Sequence, residues 1–317
     1  MTAPRELRVV RASALEAPDP KETRWLIEGL WGAGAVGVIG GPPKSCKSWL
    51  ALEMAVAVAS GKLCLGRYAV PKSGPVLVFA AEDPPIQVRE RLSHLALARG
   101  TDFGPLDVHL ILDPELRLDR PEDLVRLRLT LSKHRPRMLI LDPYVRLQSS
   151  DENNATEVAR VLGALRTLSR TFSCAILVVH HARKNGGDHD GQALRGSGDF
   201  WAWGDSNLYV RRRKDGVVLS IEHRAAPAPP SVMLSLVAPE EGPVYLDVRD
   251  APRSPEEIPL PERILGLLAE RAPQRKEDLR DVLRVRNQLL AEALRDLEAS
   301  GRIVRTPDGW KVRMNGH

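Results

Sequence analysis

The chain has 317 residues, 43% of them hydrophobic, with 46 Lys and Arg against 41 Asp and Glu and a formal net charge of +5. That length excludes one small domain and suits a large α/β domain with a small module attached. No stretch of 18 uninterrupted apolar residues offers a membrane span. A charged, Pro-rich start without a signal-peptide core, and three widely spaced cysteines (Cys46, Cys64, Cys174), predict a cytoplasmic protein.

Residues 1–24 read as an arm. Beyond them, apolar runs of strand length alternate with helical patterns. AVGVIG (35–40) is a strand, and WLALEMAVAVASG (49–61) is a helix with a glycine stop. GPVLVFAAED (74–83) is a strand followed by a helix with proline at its start. VHLILD (108–113), MLILDP (138–143) and CAILVVHH (174–181) are further strands, separated by helices over 120–136 and 154–172. This alternation predicts a mostly parallel sheet covered on both faces. After about residue 205, SNLYVRRR, VVLSIEHR, SVMLSLVAP and PVYLDVRD read as antiparallel strands that extend one sheet edge.

The link between the first strand and helix, GGPPKSCKSW (40–49), nearly spells the phosphate-binding pattern G-x-x-x-x-G-K-[ST]. Gly41 opens it, Pro42, Pro43, Lys44 and Ser45 fill it, and Lys47, Ser48 and Trp49 enter the helix. Cys46 stands where the second glycine belongs, a position where glycine relieves crowding or permits an unusual φ. A strand–loop–helix of this kind turns backbone N–H groups toward phosphates. Lys47 then reaches the β- and γ-oxygens of ATP, and Ser48 ligates Mg²⁺.

A nucleotide hydrolase also needs a metal-organising acid, a base and a γ-phosphate sensor at the carboxyl ends of the strands. Asp142 ends MLILD and serves as the acid that holds Mg²⁺ through water. Glu82, after LVFAA, is placed to polarise the attacking water. His180 and His181 end ILVVHH.

These segments together resemble RecA-type ATPases of the RepA-like branch, relatives of hexameric plasmid replicative helicases. GPPKSCKSWLAL resembles that group's loop and helix, FAAEDPPIQVRERL its "AED-PP…RL" segment, LILDPYVRL its acid-bearing strand, and VVHHARK with LRGSGDF its "HH…K…RGS" block. The resemblance spans roughly residues 25–250 and implies a RecA-like P-loop core with ATP between subunits of a homo-oligomer, a hexamer among the forms. It implies Glu82 as base, Asp142 as acid and His181 as sensor. It further implies a trans arginine finger, matched by Arg224 in IEHR with Arg195 as runner-up. The stretch 183–196, with Arg183 and Lys184, falls where relatives carry a mobile loop that contacts single-stranded DNA.

APRSPEEIPLPE from residue 251 reads as a Pro-rich linker, assigned to 251–260. Over 261–317 the pattern gives three helices and a hairpin turning at Pro307-Asp308-Gly309, an arrangement that resembles a winged helix-turn-helix. The third helix of such a module enters the major groove of duplex DNA and the wing touches phosphates. The candidate contacts are Arg284, Arg286, Asn287 and Gln288 near the helix start, and Arg305 and Lys311 on the wing. The expected protein is thus an ATP-hydrolysing, DNA-associated motor. The alternative is a nucleotide-gated DNA-binding regulator with little hydrolysis.

Overall fold

The computed structural model describes residues 9–14, 24–149, 155–181, 198–213, 216–250, 260–270, 272–283 and 285–313. Most of the expected N-terminal arm, nearly all of the linker over 251–260, and Arg183, Lys184, Arg195 and Arg284 lie outside the described residues. The chain divides into two compact units, Met1–Ala251 and Pro252–His317.

In the first unit, β1 (Trp25–Ile27) and β2 (Trp31–Gly32) form a small antiparallel ladder. Then follow β3 (Val36–Gly41), α1 (Lys47–Ser60), β4 (Val76–Ala80), α2 (Pro85–Ala98), β5 (Val108–Leu110), α3 (Pro121–His134) and β6 (Met138–Asp142). A 3₁₀ turn at Tyr144–Leu147 precedes α4 (Ala155–Phe172), β7 (Ala175–His181), α5 (Gly198–Trp203), β8 (Ser206–Arg213), β9 (Gly216–His223), β10 (Val232–Val237) and β11 (Tyr245–Asp250). Nine strands form one sheet in the order β11-β10-β9-β8-β3-β7-β6-β4-β5.

The stretch from β8 to β5 is parallel, and β9, β10 and β11 extend it antiparallel. The expected α/β fold with an antiparallel extension is present, with one correction. SNLYVRRR is parallel to β3 (Ile39↔Leu208) and antiparallel only to β9. Its apolar run matches both ladders, so sequence periodicity cannot assign its direction. The expected strand 108–113 is only three residues long, as suits an edge.

Both faces of the sheet are buried along β3, β4, β6 and β7, which explains their nearly unbroken apolar runs. On one side Ile39, Ile140 and Val179 pack with Leu50, Met54 and Val58 of α1 and Leu92 of α2. On the other, Val38, Phe79 and Leu141 pack with Leu131 of α3 and Leu162 and Leu165 of α4. Helix α1 is enclosed, and it carries a charge inside: Glu53 is 0% exposed. Its Oε1 accepts from Arg99 Nε at 2.6 Å and from the Leu65 N–H at 2.6 Å. Arg99 also donates to the Leu246 carbonyl at 3.0 Å, joining α1, the end of α2 and β11.

The second unit comprises α6 (Leu260–Glu270), α7 (Lys276–Leu283), α8 (Asn287–Ala299) and a hairpin of β12 (Ile303–Thr306) and β13 (Gly309–Val312). Ile264, Leu268, Leu279, Leu290, Leu294 and Ile303 form its core, with Trp310 packed against it.

Candidate nucleotide site

Four neighbouring parallel strands end in a row. Gly41 of β3 is in register with His181 of β7, and Asp142 of β6 with Ala80 of β4. Their carboxyl ends and the start of α1 enclose a cleft of about 240 Å³. Lys44 to Trp49, Glu82, Asp142 and His181 all line it. Chain direction alone brings these residues together, because crossovers return each strand to the same end.

The loop is built on two residues in the left-handed region, Lys44 (φ 57°) and Cys46 (φ 63°). The glycine of the pattern is therefore a conformational requirement that Cys46 meets under strain, at about 1–2 kcal/mol. Gly41 answers a different demand: a Cβ there would lie 2.4 Å from the Val210 carbonyl of β8. Cys46 is the N-cap of α1 and makes no side-chain cap. The first N–H groups of α1 thus lack a capping side chain at the cleft, which is how a helix start receives an anion.

Cys46→Gly is expected to raise stability by about 0.5–1 kcal/mol, the relieved strain less the added freedom of the unfolded chain. Nucleotide binding should be retained. A melting curve and an ATP titration check this, and loss of binding would assign the thiol a role of its own.

Lys47 is 4% exposed, and its Nζ donates to the Pro42 carbonyl at 2.7 Å, an oxygen that also accepts from Ser45 Oγ at 2.7 Å. Burial pushes the Lys47 ammonium down to about 8, against the pull of Asp142, Cys46 and Glu82. Burial also pushes the Asp142 carboxyl up to about 6, with Asp83 and Glu82 adding to the rise. The Ser48 hydroxyl, hydrogen-bonded to Asp142, and Lys47 oppose it. Two hard oxygen donors, Ser48 and Asp142, thus stand together in the cleft. Such a pair suits Mg²⁺ that takes its remaining ligands from phosphates and water. Among the described residues no group of three His, Cys, Asp or Glu could hold a metal without such help.

Glu82 pairs with Arg146 (Nε–Oε1 3.1 Å), and both are well exposed, so the bond is worth about 0–1 kcal/mol and exchanges easily. Asp83 is gripped by Arg91 at 2.6 and 3.1 Å, and the same guanidinium lies 5.6 Å from the Trp49 ring centroid. Arg91 and Arg146 were not legible as site residues, since only the fold brings α2 and the turn after β6 to the cleft rim.

The histidine pair divides between two faces, as neighbours on a strand must. His181 lines the cleft. His180 is 8% exposed and stacks on Phe200 (4.3 Å, 18°), with Tyr144 edge-on to both. Burial, then His181 and Lys47, lower its imidazole to about 4. Between pH 6.5 and 4 the unfolded chain therefore binds a proton that the folded one refuses. Stability is expected to fall as pH drops through that window, by up to about 3 kcal/mol. Denaturation midpoints of the wild type against His180→Phe measure this, and the variant should show a smaller fall.

Arg224 is not brought to the cleft. Its N–H donates to the Asp205 carbonyl at 2.9 Å, and the Asp205 N–H donates to the Val36 carbonyl at 2.7 Å. It therefore sits where β3 begins, roughly 17 Å from Gly41 at about 3.3 Å per strand residue. Its guanidinium donates to the Ala202 carbonyl and lies 3.7 Å from Asp205, about half exposed.

In the second unit, Arg286 is the N-cap of α8, Asn287 opens the helix, and the Gln288 amide donates to Glu292 at 3.1 Å. Arg305 and Lys311 lie on opposite faces of the hairpin. Arg305 pairs with Trp310 on the face of buried Ile303, and Lys311 pairs with Val304 on the other.

A family model described as an AAA domain matches residues 3–187. Among solved structures, the ATPase domain of G40P is similar at TM-score 0.50 and 14% identity, covering 63% of this chain and 81% of that one. A DnaB-like replicative helicase, solved with its interactions with primase, is similar at TM-score 0.52 and 14% identity. That match covers 65% of this chain and 56% of the helicase, so the chain spans little more than half of the helicase's length. Identities this low speak for the fold.

Proposed function

Because the chain belongs to the AAA domain family, we propose that it is an ATP-hydrolysing, DNA-associated motor of the RepA-like RecA type, working as a homo-oligomer with ATP held between subunits. The observation that carries this is the division of parts along β3. Lys47, Ser48, Glu82, Asp142 and His181 meet at its carboxyl end, while Arg224 stands at its start. An arginine so placed cannot serve its own cleft, and a neighbour's cleft is where its charge would act.

In this reading Lys47 and the loop N–H groups hold the triphosphate, Ser48 and Asp142 hold Mg²⁺, and Glu82 takes a proton from the attacking water. His181 contacts the γ-phosphate, and Arg224 of an adjacent subunit meets the charge that develops in the transition state. Single-stranded DNA is assigned to the core, where Arg183 and Lys184 belong to the undescribed segment. Duplex DNA is assigned to the C-terminal unit, taken as a winged helix. A cytoplasmic location completes the proposal; no described helix is long and apolar enough to cross a membrane.

One observation favours a second reading. With strained Cys46 where the loop pattern has glycine, a nucleotide-gated DNA-binding regulator would bind ATP and turn it over little. ATP turnover with and without single-stranded DNA separates the two, beside Glu82→Gln. Turnover that rises with DNA and drops at least about a hundredfold in the variant supports the motor. Binding without turnover in either condition leaves the regulator.

A further inference from the structure

The C-terminal unit is nearly neutral, with 13 Lys and Arg against 11 Asp and Glu over residues 252–317. Its positive charge is nonetheless concentrated. A cleft of about 450 Å³ opens between the start of α7, α8 and the hairpin. Arg275, Lys276, Arg295 and Arg305 line it against one carboxylate, Glu277. Among the described residues none of these four cations forms an ion pair with a carboxylate.

The walls are fixed by backbone. Gln274 and Trp310 exchange two main-chain hydrogen bonds, 3.0 and 2.8 Å, which add the segment before α7 to the hairpin as a third rung. Gly309 makes that approach possible: its φ is +136°, and a Cβ there would fall 2.4 Å from the Gln274 carbonyl. The Arg305 guanidinium lies 5.8 Å from the Trp310 ring centroid, which holds it on the cleft side of the hairpin.

We propose that this cleft binds the sugar–phosphate backbone of duplex DNA, independent of base sequence. The proposal rests on the assignment of the C-terminal unit to duplex DNA, and it moves the anchoring contact from the start of α8 to the cleft. The cations come from both walls, so their charge flanks a channel. Three of the four are arginines, whose planar forks match phosphate oxygens. The main-chain groups of Gln274 and Trp310, which a peptide strand would need on this edge, are already used. Gln274 and Trp310 bond each other, and the Thr306 hydroxyl donates to the Gly309 carbonyl at 2.8 Å. What remains without a carboxylate partner is cationic side chain, with Arg295 Nε donating to the Ala291 carbonyl at 3.4 Å and Arg305 against Trp310, which suits a polyanion that brings no backbone ladder.

The test uses the full chain and a labelled blunt duplex of mixed sequence, with anisotropy followed over a salt series. Arg275→Glu/Arg295→Glu is expected to weaken binding at least tenfold and to reduce the slope of log affinity against log salt by about two. A second duplex of unrelated sequence should give the same loss. Arg286→Glu and Lys311→Glu, at the start of α8 and on the other face of the hairpin, should weaken binding less than the cleft pair does. A thermal melt of each variant checks folding, and Arg275→Gln/Arg295→Gln serves if the double reversal misfolds. Weakening by Arg286→Glu or Lys311→Glu that equals or exceeds that of the cleft pair would overturn the cleft and leave the unit a DNA binder. Wild-type affinity in all these variants would overturn both the cleft and the assignment of duplex to this unit. Loss of affinity for polyglutamate but not for DNA would overturn the nucleic-acid ligand in favour of an acidic protein.

Discussion

Lys47→Ala is expected to lower ATP turnover by a factor of a hundred or more while leaving the protein as stable as before, or more so. The loss follows from charge. Lys47 is the cation that burial in the cleft sets against Asp142 and Glu82, and removing one preorganised charge from such a site costs about 10²–10³ in rate. The stability follows from the same burial. Holding a lysine charged in a place that lowers its affinity for the proton costs the fold on the order of 2 kcal/mol at neutral pH, after allowance for solvent at the cleft mouth. Alanine removes that cost. Steady-state hydrolysis and a thermal melt on the same preparation measure both sides. Turnover within tenfold of wild type would mean that the phosphates are held elsewhere.

Arg99→Ala should have the largest effect on stability, a loss of about 3–5 kcal/mol. Glu53 is wholly buried in α1, and among the described residues Arg99 is its one cationic partner within hydrogen-bond distance. Burial already raises the Glu53 carboxyl despite that guanidinium. Without it the carboxylate stays buried with only the Leu65 N–H, and the melting temperature should fall by roughly 10 °C. The deficit has a sign in pH. A carboxyl whose folded affinity for the proton is raised loses stability as pH climbs past the unfolded value near 4.5, so the gap to wild type should narrow in acid. Glu53→Gln placed on top of Arg99→Ala should recover part of the loss. A melting point unchanged in Arg99→Ala would show that water reaches Glu53.

The cleft was legible in the sequence because its parts obey a rule of chain direction. Strand–loop–helix punctuation located Gly41 to Trp49, and the polar residue closing each apolar strand located Glu82, Asp142 and His181. What was not legible depends on contacts between distant segments. The direction of SNLYVRRR, the Glu53–Arg99 pair and the grip of Arg91 on Asp83 have no local signature. Gly37 is a further case: a Cβ there would lie 1.7 Å from the Ser206 carbonyl, so β3 and β8 meet where no side chain fits, yet the residue reads as one small member of an apolar run. In the C-terminal unit the three helices and hairpin were legible from periodicity and turn residues. The opposite facing of Arg305 and Lys311 was not, since it depends on which hairpin face the core claims.

The separation of Arg224 from the phosphate loop by the length of β3 has an arithmetic consequence. If each cleft is completed by the arginine of the next subunit, a lone chain holds no complete site. An open row of n subunits holds one fewer site than chains, and a closed ring holds as many sites as chains. Specific activity would then report the form of the assembly. It would vanish on dilution, climb steeply over the first few additions, and reach its ceiling only when the last gap closes.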